Sequence, residues 1–151
     1  MPKQKGDIVD ENGCFIKHHH GLPFYTIGQR KGLEIGGGYS DSPEPWFVAD
    51  KLVESNKILA VQGDHPLLYH NTLVADSVHW IDQSPALPHK CSAKIRYRQA
   101  SQECQVFGID GDCIQVNFKE PQRAITPGQS IVFYDRDVCL GGSVIKSKSN
   151  E

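Results

Sequence analysis

No apolar run in this 151-residue chain approaches the roughly 20 residues that a membrane-spanning helix needs. The opening Met-Pro-Lys-Gln-Lys-Gly has no hydrophobic stretch for a signal peptide. A cytoplasmic address without membrane contact is the expectation; a transit segment upstream would redirect the protein to an organelle. Charge of one sign is not in excess either: the formal net charge is −2. No global field draws nucleic acid, so any RNA claim rests on where the cations sit. The five cysteines, Cys14, Cys91, Cys104, Cys113 and Cys139, form no Cys-x-x-Cys pair and no ligand-like Cys/His spacing. They read as reduced thiols that mostly pack. Also missing are the Gly-x-x-x-x-Gly-Lys-Ser/Thr phosphate loop, the dinucleotide fingerprint, a Ser-His-Asp order and paired-carboxylate spacing. Motif-bearing hydrolase and nucleotide-binding classes therefore find no support.

What is present is a folded composition: 38% apolar residues plus 14 glycines is close to the usual globular share. Residues 6–17 place two short apolar runs around Asn12-Gly13, the signal for a tight hairpin with those two residues at its turn. A glycine-rich stretch, residues 18–45, follows, with Gly-Gly-Gly at 36–38 and Pro-Glu-Pro at 43–45. Residues 46–50 and 57–62 read as a second hairpin, and Asp64-His65-Pro66 marks a boundary. Beyond it, strand signals recur at 73–81, 90–98, 103–109, 113–118, 130–134 and 138–145. In the fourth, Ile114, Val116 and Phe118 alternate with Gln115 and Asn117, the period of a half-buried strand. Asp110-Gly111 supplies the turn before it, and the polar tail, residues 146–151, is expected to fray. The expectation is an all-β protein: a small central domain with a long glycine-rich loop, residues 1–65, then a six-stranded barrel, residues 66–151.

Three constellations bear on chemistry. If residues 90–98 form one strand, alternation puts Lys94, Arg96 and Arg98 on one face and Ala93, Ile95 and Tyr97 on the other. Such a cationic stripe suits a phosphate backbone, although a solvated strand face has the same pattern. Tyr97 is suited to stacking on an unpaired base, but an inward tyrosine is more often core. The second constellation is the glycine-rich loop around Arg30 and Lys31, which has two cations but no known phosphate-loop spacing. The third, His18-His19-His20, invites a metal. Three consecutive histidines on a loop do not easily face one ion, so no metal is expected. Cys91, beside Lys90 and His89, is the thiol closest to positive charge, with packing its leading role.

Gly21-Leu22-Pro23-Phe24-Tyr25-Thr26-Ile27-Gly28-Gln29-Arg30-Lys31-Gly32-Leu33, Glu44-Pro45-Trp46-Phe47-Val48-Ala49-Asp50-Lys51, Arg96-Tyr97-Arg98-Gln99, Thr126-Pro127-Gly128-Gln129-Ser130 and Val138-Cys139-Leu140-Gly141-Gly142 resemble, in order and spacing, the tRNA-specific 2-thiouridylases. That resemblance implies a full enzyme that uses ATP with magnesium to adenylate C2 of the wobble uridine. A cysteine persulfide then supplies the sulfur that replaces the oxygen. The family's Ser-Gly-Gly-x-Asp-Ser loop does not occur here, and Cys14-Phe15-Ile16 follows Asn-Gly in a hairpin, a superficial echo of the catalytic cysteine motif. No residue of this chain is therefore expected to be catalytic, and none to bind ATP. The resemblance places Arg96, Tyr97 and Gln129 at tRNA-contacting positions, with Lys94, Arg98, Arg30 and Lys31 as lesser candidates. Strict alternation would send Arg96 and Tyr97 to opposite faces, so joint contact requires the strand to end or twist there. The implied partners are tRNA, an N-terminal catalytic domain and a sulfur-relay donor. The rival reading is a structural β module that contacts the catalytic domain or donor protein, with RNA secondary.

Overall fold

Asp10 organises the first turn. Its carboxylate Oδ1 accepts from the backbone N–H of Asn12 and of Cys14, both at 2.9 Å, and its carbonyl accepts from Gly13 N at 3.0 Å. The turn is thus centred on Glu11 and Asn12, one residue earlier than the Asn-Gly pair suggested, with Gly13 in the left-handed region at φ 80°. Glycine suits that position because a Cβ disfavours positive φ. The computed structural model describes residues 4–36 and 43–150, which divide into two compact units, Met1–Leu68 and Tyr69–Glu151. Gly37 and Gly38 of the triple glycine lie outside the described residues.

In the first unit the turn joins β1 (Gly6–Val9) to β2 (Phe15–His19). A 3-10 turn, Leu22–Phe24, precedes β3 (Trp46–Leu52), and another, Val53–Ser55, links β3 to β4 (Lys57–Gln62). The sheet order is β2-β1-β4-β3, with β1 and β4 parallel and the other pairs antiparallel. Ile8, Ile16, Leu22, Val48 and Ile58 are buried. His18 and His19 belong to β2 and not to a loop. Strand alternation exposes His18 and buries His19, whose Nε2 donates to Asn56 O at 2.8 Å while Nδ1 accepts from Gly21 N at 2.9 Å. Both ring nitrogens of His19 are therefore committed to backbone groups.

The second unit contains β5 (Tyr69–Trp80), β6 (His89–Lys94), β7 (Gln102–Asp110), β8 (Cys113–Arg123), β9 (Ser130–Asp135) and β10 (Val138–Ser149). They close into a barrel in the order β10-β5-β8-β7-β6-β9. Leu73, Val106, Val116, Ile131 and Phe133 fill it, each fully buried, and each such side chain contributes about 1.5–3 kcal/mol by leaving water. The β7–β8 hairpin turns at Gly111 and Asp112, one residue later than expected, because Asp110 still pairs with Cys113. The polar tail does not fray: β10 runs to Ser149, with Lys148 opposite Leu73 and Ser149 opposite Thr72. Asn150 Oδ1 then accepts from Asn71 N at 3.0 Å. The tail's backbone is the partner that β5 needs to close the barrel, which outweighs its polar side chains. Among the described residues no helix is long and apolar enough to cross a membrane.

Candidate nucleic-acid interface

β6 stops at Lys94, so the expected strand over residues 90–98 is interrupted at its midpoint. The cause lies in Gln99. Its Oε1 accepts from Ile95 N at 3.0 Å and its own N–H donates to Arg96 O at 3.3 Å, curling residues 95–99 out of the sheet. Its Nε2 donates to Oε1 of Gln122 at 3.0 Å. Gln122, only 4% exposed, anchors itself by donating to Glu120 O at 2.9 Å. Lys94, Arg96 and Arg98 consequently do not form a strand stripe. Lys94 stays on the barrel wall with Nζ 5.2 Å from the Tyr134 ring centroid, within cation–π range. Arg96 and Arg98 sit in the turn. Tyr97, read as inward from alternation, is 94% exposed at the turn's crest, because the backbone has left the sheet before reaching it.

Arg96 is held from beneath. Its Nη2 donates to Arg123 O and, at 3.0 Å, to Ala124 O. Burial, and then the neighbouring Arg123 guanidinium, lower its pKa from the ordinary arginine value, yet arginine remains a cation at neutral pH. Ala124, buried at φ 57°, has a conformation uncommon for a residue with a Cβ. Its carbonyl also accepts from Thr126 Oγ1 at 3.0 Å. Thr126 opens the next turn, in which Gln129 N donates to Thr126 O at 3.2 Å and Gln129 O accepts from Ile145 N at 2.8 Å. The Gln129 side chain is left exposed.

One carbonyl thus ties the Arg96 turn to the Gln129 turn, and the second unit gathers Arg96, Tyr97, Arg98 and Gln129 at one end of β8. Arg30 and Lys31 are exposed in a turn of the first unit. Arg123, Gln99, Gln122 and Ala124 escaped sequence reasoning. Gln99 stands within the Arg-Tyr-Arg-Gln motif; nothing local marks the other three.

Two further groups were chemical candidates. Among the described residues no three or more His, Cys, Asp or Glu side chains gather where they could hold a metal ion. Cys91 and Cys104 are direct cross-strand partners on β6 and β7, with Sγ atoms 3.9 Å apart. The Cys104 thiol beside it lowers the Cys91 pKa, whereas the same contact and burial push that of Cys104 up.

Comparison with known proteins places this architecture. Residues 70–145 match the aminomethyltransferase beta-barrel domain, and residues 1–62 match the tRNA methyl transferase PRC-barrel domain. The tRNA-specific 2-thiouridylase MnmA of Ruthia magnifica subsp. Calyptogena magnifica is 64% identical over 146 residues, 97% of this chain and 40% of that protein. The chain belongs to the tRNA-specific 2-thiouridylase family. The 2-thiouridylase of Vesicomyosocius okutanii subsp. Calyptogena okutanii is 60% identical over 146 residues, again 97% of this chain and 40% of that protein. That of Hydrogenovibrio crunogenus is 53% identical over 150 residues, 98% of this chain and 40% of its own length. The chain thus spans about two fifths of the 2-thiouridylases it matches, and the five motifs read from the sequence fall within that shared region.

Proposed function

We propose that this chain is the tRNA-docking portion of a 2-thiouridylase, gripping the RNA through the paired turns at Arg96 and Gln129. The observation that carries this reading is the shared Ala124 carbonyl, which braces a doubly cationic, tyrosine-tipped turn beside a second turn bearing an exposed amide. Arg98 and Arg123 supply charge for phosphate oxygens, with release of counterions. Tyr97 offers a ring on which an unpaired base can stack, and Gln129 a donor and acceptor for a base edge or a 2′-hydroxyl. Arg96 itself is half spent on carbonyls, so it shapes the turn as well as charging it.

The chemistry of the family, adenylation of uridine C2 followed by sulfur transfer from a persulfide, is assigned to the part of the protein beyond these residues, with ATP and magnesium bound there. Three amides of the glycine-rich turn that leads to Arg30 and Lys31 are used within the fold, which supports that reading. The N–H of Gly28 donates to Val48 O at 2.7 Å, that of Gln29 to Thr26 O at 2.9 Å, and that of Thr26 to Gln29 Oε1 at 2.8 Å, so these three do not line a phosphate-binding nest. The setting is cytoplasmic, and the catalytic domain and a sulfur-relay donor are partners in the same reading.

Binding of unmodified tRNA by the purified chain, measured across a salt series, tests the proposal. Arg98→Glu and Tyr97→Ala alter exposed side chains, so the barrel should unfold as before while RNA affinity drops. Retention of full affinity by a Lys94→Glu, Arg96→Glu, Arg98→Glu triple variant that remains folded would transfer the role to protein contacts with the catalytic domain or donor.

A further inference from the structure

The turn just described is the connection between β6 and β7, and the first directly opposed thiols below it are Cys91 and Cys104. Their register is direct, their sulfurs stand 3.9 Å apart, and only 13 positions separate them in sequence. Cys104 is 6% exposed, whereas Cys91 is half-buried. Both line an open hollow of about 750 Å³ with Lys90, Lys119, Tyr134 and Arg136. One thiol is therefore reachable by a small solute and the other is sheltered behind it. This is the arrangement in which the accessible sulfur is oxidised first and the second resolves it.

We propose that Cys91 and Cys104 form a reversible dithiol–disulfide pair, oxidised by peroxides, that staples the neck of the β6–β7 hairpin. In the first step the Cys91 thiolate attacks one oxygen of hydrogen peroxide, forming an S–O bond and breaking the O–O bond. The departing hydroxide takes up the proton that Cys91 gave away and becomes water. In the second step Cys104 attacks Cys91 Sγ, forming the S–S bond and breaking the S–O bond. The hydroxyl of the sulfenic acid leaves with the Cys104 proton as a second water. Two thiols lose two electrons and one peroxide gains them.

The sulfurs must close from 3.9 Å to a bond of about 2.0 Å, which side-chain rotation can supply because the cross-strand register already holds the two residues opposite one another. The wall of the hollow carries Lys90, Lys119 and Arg136 beside Glu103 and Asp135, with Lys119 paired to Glu103 at 3.4 Å, so its cations are partly offset by carboxylates and the step rests on the placement of the two sulfurs. The crossing residues 95–101 then lie in a short closed ring, so their freedom in the open hairpin falls. The proposal stands whether or not that turn contacts RNA.

The test uses the reduced chain, equimolar hydrogen peroxide, alkylation of the remaining thiols and peptide mapping. Two of the five thiols should disappear into a linked Cys91–Cys104 peptide whose mass is lower by two hydrogens, and a dithiol reductant should restore them. Amide exchange across residues 95–101 should slow in the oxidised form. In Cys104→Ser, Cys91 should halt at a sulfenic acid that dimedone traps. Cys91→Ser, a near-isosteric change at a half-buried position packed against the core, should yield neither the linked peptide nor an oxidised Cys104. A linkage through Cys14, Cys113 or Cys139 in place of this pair, oxidation of Cys104 in Cys91→Ser, or unchanged exchange in the linked form would overturn it.

Discussion

Gln99 and Gln122 meet amide to amide, 23 positions apart in sequence, with Nε2 of the first on Oε1 of the second at 3.0 Å. Gln122 is buried, whereas Gln99 is half-buried and Glu120 exposed. Gln122→Leu keeps the volume but removes the hydrogen bonds to the Gln99 amide and the Glu120 carbonyl, which water can partly replace. A hydrogen bond contributes about 0.5–1.5 kcal/mol net, so urea unfolding should show a loss of about that size. Pairing the change with Gln99→Ala should be markedly non-additive, since both remove the same bond.

Tyr97 and Arg98 should separate by their salt response. Tyr97→Ala removes a stacking surface and should weaken tRNA binding by about 1–3 kcal/mol at every salt concentration. Arg98→Ala removes one charge and should flatten the log–log salt slope by about 0.7–0.9. Filter binding at several ionic strengths distinguishes them, and identical slopes for both variants would contradict the assignment.

Phe133 is fully buried and lies against Trp80 with ring centroids 5.4 Å apart. Phe133→Ala should destabilise the barrel by about 3–5 kcal/mol, read as a lower midpoint in chemical denaturation and a change in Trp80 fluorescence in the native state.

Gly141 has φ 154°, and a Cβ built on it would collide with the backbone of His79 and Trp80. It sits where β10 shifts register against β9 and lies opposite Trp80 of β5, so β10 and β5 can approach this closely only without a side chain. Gly141→Ala should cost about 1–3 kcal/mol as an overpacked site, with faster amide exchange along β5 and β10.

Cys91 should alkylate at lower pH in the folded chain than in the urea-unfolded one. Its folded pKa is depressed from the ordinary 9.0 chiefly by hydrogen bonding to Cys104. Below pH 9.0 the folded state therefore holds more Cys91 thiolate, the reactive form, than the unfolded state does. Iodoacetamide labelling followed by mass spectrometry should show the shift, and Cys104→Ala should abolish it.

The barrel was legible because its strands advertise themselves locally. Ile114, Val116 and Phe118 face inward while Gln115 and Asn117 do not, which is the alternation written in β8. The place where β6 ends was not legible. Lys94-Ile95-Arg96-Tyr97-Arg98 alternates as a strand would, and what breaks it is a glutamine side chain returning to Ile95 N with support from Gln122, a residue of another strand. The exposure of Tyr97 follows from that break, so a period-two argument was bound to place it on the wrong side. The order of residues 146–149 was hidden for a similar reason. Their composition is that of a loose tail, and only the unsatisfied edge of β5 makes them a strand.

The pairing of β5 with β10 also means that the barrel begins and finishes at the same place. Asn150 Nδ2 reaches Tyr69 O at 3.4 Å. A polypeptide whose two ends adjoin can be joined head to tail by a short bridge and reopened at an exposed hairpin such as Gly111-Asp112 without re-threading its core. The same adjacency lets such a barrel be spliced into an unrelated protein as a cassette, since its host needs only two neighbouring attachment points.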